Sequence, residues 1–122
     1  MKIEEQVLSI EQMKHLQELG VDTSDASMCW AGNDVVPNNG AAFDLGYDGI
    51  PTYTIGDLIE KLPIRIGSVN RKIYFTGKYI IVSYSSPDGS LIEYRGTTLL
   101  CLLYSLLCWV AETHKELLEV KK

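Results

Sequence analysis

The chain has 122 residues, 46% hydrophobic and 22% charged, with a formal net charge of −5. That length fits one domain, 1–122, able to bury a core without metals or disulfides, and the composition excludes a disordered or collagen-like chain. An acidic balance disfavours general binding to phosphate backbones. The charge is unevenly spread: residues 1–60 balance to −9, residues 61–96 to +4 and residues 97–122 to zero. The middle of the chain is a basic island.

Chain order begins with a start that has no apolar signal region, which points to a cytoplasmic protein. Ser9 and Gln12 have capping-box spacing, and Ile10, Met13, Leu16 and Leu19 recur at helical period. The pattern predicts a helix over 10–19, stopped by Gly20. Asp22-Thr23-Ser24-Asp25 is a turn, and a short strand is expected over 27–31. Residues 32–52 are rich in Gly, Pro and Asn and read as one long loop. Thr54 and Asp57 cap a second helix over 54–62, closed by Pro63.

Residues 64–95 read as an antiparallel meander of three to four strands, with turns at Asn70-Arg71, at Gly77 and at Pro87-Asp88-Gly89. Ile73, Phe75 and Val82 are expected to face helices, and Lys72, Tyr74 and Ser83 to face outward with Glu93 and Arg95. Thr97 or Thr98 caps a last helix over 98–113, apolar almost all round from 99 to 111 apart from Ser105. Thirteen residues are too few for a bilayer span of about 20, so no membrane association is expected. A helix apolar on all sides must be covered on more than one side. Residues 115–122 are charged and read as a frayed tail. The fold class is α+β: an antiparallel meander packed against a long apolar C-terminal helix and two shorter N-terminal helices.

Chemical signals are sparse. Cys29, Cys101 and Cys108 lack zinc-site spacing and read as packing residues. Cys29 is the one nucleophile candidate, and it needs His15 or His114 beside it in space. Asp44, Gly46, Asp48 and Gly49 resemble the start of a calcium loop, but Gly46 and Ile55 stand where ligands are needed. No phosphate-binding glycine loop is present. No metal and no cofactor is expected, and the balance leans against an enzyme. The basic island is the sharpest feature: Arg71, Lys72, Tyr74, Lys78 and Arg95 are the candidate contacts for an anionic partner, in the manner of single-strand readers that stack bases on aromatics.

Leu8-Ser9, followed by Gln12-Met13-Lys14-His15-Leu16-Gln17-Glu18-Leu19-Gly20-Val21-Asp22-Thr23-Ser24-Asp25-Ala26-Ser27-Met28, resembles small proteins of unknown function from gut-bacterial phages, prophages and mobile elements. Tyr53-Thr54-Ile55, Asp57-Leu58-Ile59-Glu60, Leu62-Pro63 and Leu107-Cys108-Trp109 fall where those proteins carry similar segments. The resemblance implies a shared fold and no particular activity. The leading expectation is an accessory protein that binds another protein or a second copy of itself, because the apolar helix needs cover. Nucleic-acid contact through the basic island is the alternative, and a small enzyme using Cys29 and a histidine is the third.

Overall fold

The computed structural model describes residues 6–118. Its elements run α1 (Ile10–Glu18), β1 (Met28–Ala31), β2 (Asp34–Pro37), α2 (Ala41–Asp44), β3 (Ile50–Thr52), α3 (Ile55–Lys61), β4 (Arg65–Ile66), β5 (Val69–Phe75), β6 (Ile80–Ser86), β7 (Gly89–Gly96) and α4 (Leu99–Thr113), then a 3₁₀ turn (Lys115–Leu118). The fold is α+β, with two antiparallel sheets ordered β2-β1-β3 and β4-β5-β6-β7.

Both N-terminal helices begin where their caps dictate. Ser9 Oγ accepts from the Gln12 amide and Gln12 Oε1 from the Ser9 amide. Thr54 and Asp57 make the same reciprocal pair at α3. Each box satisfies two amides that the first helical turn leaves without partners. Gly20 follows α1 at φ +87°, a backbone region that costs glycine nothing. Leu62 is extended before Pro63, which ends α3. At α4 the N-cap is Thr98, but its hydroxyl makes no capping bond.

The four-stranded sheet is a meander. Its first turn lies at Gly67-Ser68, with Gly67 at φ +60°, rather than at Asn70-Arg71. Asn70 and Arg71 belong to β5, opposite Ser85 and Tyr84. Turn-prone Asn yields here to cross-strand pairing, whereas a positive φ demands glycine.

α4 packs on β6 and β7, against α3, and against the terminal 3₁₀ turn. Leu100, Leu102, Leu103, Leu106, Leu107, Val110 and Ala111 are all buried. One buried cluster joins them to Met13 and Leu16 of α1, Leu58 of α3 and Val82 and Tyr84 of β6. Burying each large side chain stabilises by roughly 1.5–3 kcal/mol, so this shared cluster is the energetic centre. The helix is thus covered by elements of its own chain, and among the described residues none of its large apolar side chains is exposed. Its one exposed line includes Cys101, which is not a packing residue as expected. The expected tail is also corrected in part: 115–118 form the 3₁₀ turn and Leu118 is buried, while 119–122 lie outside the described residues.

The largest departure concerns 32–52. This stretch is not one loop but β2, α2 and β3, with glycines at the turns between them. Gly32, Gly40, Gly46 and Gly49 all have positive φ. β1 is the central strand: Met28 faces Pro37 on one side and Thr52 on the other. The small sheet is fastened to the main core through Leu8, whose carbonyl accepts from Trp30 Nε1 at 2.9 Å and Thr52 Oγ1 at 2.7 Å.

Candidate functional site

Three places compete to be the working surface: the outward face of the four-stranded sheet, a cavity beside α3, and a ridge on the small sheet.

The register sets the outward face. Asn70, Lys72 and Tyr74 of β5 share it with Glu93 and Arg95 of β7, while Ile81, Ser83 and Ser85 of the central strand β6, on the same side by register, are themselves buried, so Ser83 is not the exposed position expected. Arg65 lies opposite Asn70 and joins them. Lys72, Tyr74 and Arg95 are therefore together, as expected, and Lys78 sits in the exposed bend between β5 and β6. Arg71 is not with them. It points to the helix side, where its guanidinium donates to the carbonyls of Ile59 at 2.6 Å and Leu62 at 3.0 Å. Those are end-of-helix carbonyls without helical partners, and a cation suits the negative pole of the helix. Arg71 thus closes α3 and lies on the opposite side of the sheet from Lys72 and Tyr74.

Arg95 is also partly spent. Its Nε donates to Glu93 Oε2 at 2.9 Å, and its guanidinium lies 5.7 Å from the centre of the Tyr79 ring. Glu93 holds the Arg95 pKa above its usual value. Lys61, counted in the basic island, has a side chain only 5% exposed and pairs with Asp25. The island of the sequence thus divides into structural cations and a thin outward row of Arg65, Lys72 and Arg95, with Glu93 among them. Phe75 keeps the helix-facing register but lies beyond the helices, 67% exposed.

The cavity beside α3 holds about 300 Å³ and is lined by Asp25, Tyr53, Asp57, Glu60, Lys61, Leu117 and Leu118. Lys61 Nζ donates to Asp25 Oδ2 at 2.9 Å and to the Asp22 carbonyl at 3.0 Å. The Tyr53 hydroxyl donates toward Asp25 Oδ1 at 2.6 Å, with the Asp22 carbonyl at 3.0 Å sharing its proton. Burial, reinforced by the Asp25 carboxylate, pushes the Tyr53 hydroxyl pKa well up. Asp57 Oδ2 accepts from the amide and hydroxyl of Ser27 and the amide of Thr54. These groups are committed to one another. Together they staple the 22–27 turn to α3, with the Tyr53 proton held between the Asp25 carboxylate and the Asp22 carbonyl. The cavity is a seam of the fold.

The Cys29 hypothesis meets an equally plain arrangement. Cys29 is buried against Ala31, Ala42 and Val36, with Sγ 3.9 Å from the Pro37 carbonyl. His15 packs edge-on to Tyr104, and His114 lies against Trp109. Neither histidine is brought to the thiol, so no Cys–His pair assembles. Among the described residues no group of three His, Cys, Asp or Glu gathers around a metal position.

The ridge was hidden inside the expected loop. Ala42 anchors α2 in the same small cluster, and Gly49 passes so close that an added Cβ would lie 3.1 Å from Ala42 and 3.5 Å from Cys29 Sγ. A cluster built of such small side chains has no room for larger neighbours. Phe43, Leu45 and Tyr47 accordingly stand outside it, 81%, 61% and 49% exposed. The turn that carries them is fixed by the Gly46 amide donating to the Phe43 carbonyl at 2.9 Å and the Tyr47 amide to the Ala42 carbonyl at 2.9 Å. The Tyr47 ring lies over Gly32, where a Cβ would come within 3.0 Å. Three large apolar side chains are thus presented in five residues of fixed backbone.

No protein-family model, curated protein or solved structure matches this chain. No helix among the described residues is long and apolar enough to cross a membrane. In the sequence Phe43, Leu45 and Tyr47 are visible as three large apolar residues within five, but the density of turn residues around them masks them as an exposed group.

Proposed function

We propose that this chain is a non-catalytic accessory protein that docks a protein partner on the Phe43-Leu45-Tyr47 ridge. The observation that carries the reading is the exposure of these three side chains on a turn fixed by its own hydrogen bonds. Large apolar side chains grouped on a surface mark contact sites, and aromatic residues dominate such contacts. Burying what these three still expose supplies roughly 3–6 kcal/mol, against an association cost of about 4–15 kcal/mol. The ridge therefore serves as the anchor of a larger interface. The resemblance of residues 8–28 to phage and mobile-element proteins gives the accessory role its setting.

Nucleic-acid contact has less support, because Arg71 and Lys61 are structural and Arg95 is paired with Glu93. A photo-crosslinking residue at position 43, in cells that express the protein, tests the docking reading. A discrete protein adduct is expected at 43, absent with the same residue at position 88 in the β6–β7 hairpin and lost on adding Leu45→Asp. Identical patterns at the two positions, or no adduct at 43, overturn the reading. Phe43→Asp should shift folding stability by less than about 0.5 kcal/mol, since the side chain is exposed.

A further inference from the structure

The free edge of β7 is distinct from the ridge. β7 is the last strand of its sheet, and among the described residues no strand pairs with its outer side. Its eight residues leave a row of backbone donors and acceptors open. Natural sheets commonly blunt such an edge with lysine, proline, a bulge or a covering segment. β7 carries no lysine and no proline, and its irregularity sits at the hairpin end, where Tyr84 faces Ile92 and Ser85 faces Ser90. From Ile92 to Gly96 the strand is regular.

The other edge of the sheet differs. β4 covers only Val69 and Asn70 of β5 in strand register, and the open part beyond carries Lys72, with Lys78 in the following bend. That part carries no acid to complement Lys72, so two copies meeting there gain no charge pair. β7 instead carries Glu93 and Arg95 two positions apart on one face, with the Arg95 and Glu93 side chains 58% and 30% exposed. That pair is its own complement under one arrangement only. In an antiparallel pairing of two β7 strands centred on Tyr94, Glu93 of each copy faces Arg95 of the other. A centre moved one residue, to Glu93 or to Arg95, sets identical charges opposite each other.

We propose that β7 is a self-recognition edge, joining two copies through antiparallel β7–β7 pairing centred on Tyr94 into one continuous eight-stranded sheet. Backbone hydrogen bonds supply the attraction, as in strand addition generally. The register exchanges the Glu93–Arg95 pair within each copy for two such pairs between copies, which fixes the alignment. On the helix-facing side, half-buried Tyr94 meets its own copy, and Ile92 comes opposite Gly96, beside the Leu102 side chain of α4 that lies over that glycine.

Sedimentation equilibrium at low salt, over concentrations reaching about 1 mM, tests this pairing. The wild-type mass should rise from 13.6 kDa toward twice that value. Glu93→Arg leaves β7 with two arginines and Arg95→Glu leaves it with two glutamates. Each variant alone should dimerise at least about tenfold more weakly, because like charges then face each other twice. Mixing the two variants should restore a dimer containing one chain of each. That heterodimer separates self-recognition from loss of folding, since misfolded variants would not rescue each other. A wild-type chain that stays monomeric throughout, or a mixture no more associated than its components, overturns the proposal. Phe43→Asp should leave dimerisation unchanged, so the fate of the ridge and the fate of the edge are read separately.

Discussion

At the scale of single residues, the decisive contrast lies between neighbours. Arg71 and Lys72 are adjacent cations in one strand, and the alternation of side chains sends them to opposite faces. Arg71 reaches two carbonyls at the end of α3, while Lys72 stands on the outward face opposite Ser83. Arg71→Ala should therefore lower stability by about 2 kcal/mol, since charge-assisted hydrogen bonds are worth about 1.5–3 kcal/mol and two acceptors lose their donor. Lys72→Ala should change it by less than about 0.5 kcal/mol. Urea denaturation of the two variants measures the difference, and equal losses would contradict the assignment. The sequence pattern sends Lys72 outward but leaves Arg71 in a turn, so it gives no sign that Arg71 is a strand residue on the inward face. That depends on what each face meets, and the end of α3 comes within reach of β5 only in the folded chain.

At the scale of elements, the boundaries of α1 and α3 are written locally. Each cap involves residues three positions apart, and its hydrogen bonds form within one turn. The two caps are nevertheless unequal. The box at α1 closes on itself, whereas Asp57 also binds Ser27, thirty positions earlier. Asp57→Ala should cost about 2–3 kcal/mol and Ser9→Ala about 1 kcal/mol, because the first removes a long-range staple as well as a cap. Thermal or chemical unfolding of both variants ranks them, and a cost at Asp57 no larger than at Ser9 would show the staple to be idle. The 32–52 segment is the opposite case. Its strands are three and four residues long, too short for a periodic signal, and they exist because β1 pairs with both. Composition sees the turns, which are real, and misses the elements between them.

At the scale of the whole molecule, the two sheets rest on unequal cores. The main cluster joins α1, α3, α4 and the four-stranded sheet through leucines and tyrosines, while the apolar cluster of the small sheet is just Cys29 and Ala31 with Ala42 of α2, and Val36 against them. Native-state hydrogen exchange should show amides of β1 and β3 opening well before those of β6, because regions with little buried apolar contact open at lower free energy. Uniform protection across the two sheets would contradict this. The sequence by itself determined the amphipathic stripe of α1, the caps, the proline stop of α3 and the apolar character of α4, since all of these act over a few bonds. It also showed that α4 needed cover. Only the tertiary structure decided that β6, β7, α3 and the terminal 3₁₀ turn provide that cover within one chain, and that Phe43, Leu45, Tyr47 and the β7 edge are among the surfaces left open. Hydrophobic burial is not directional, so a run of leucines states how much surface must be hidden and leaves to long-range packing the choice of what hides it.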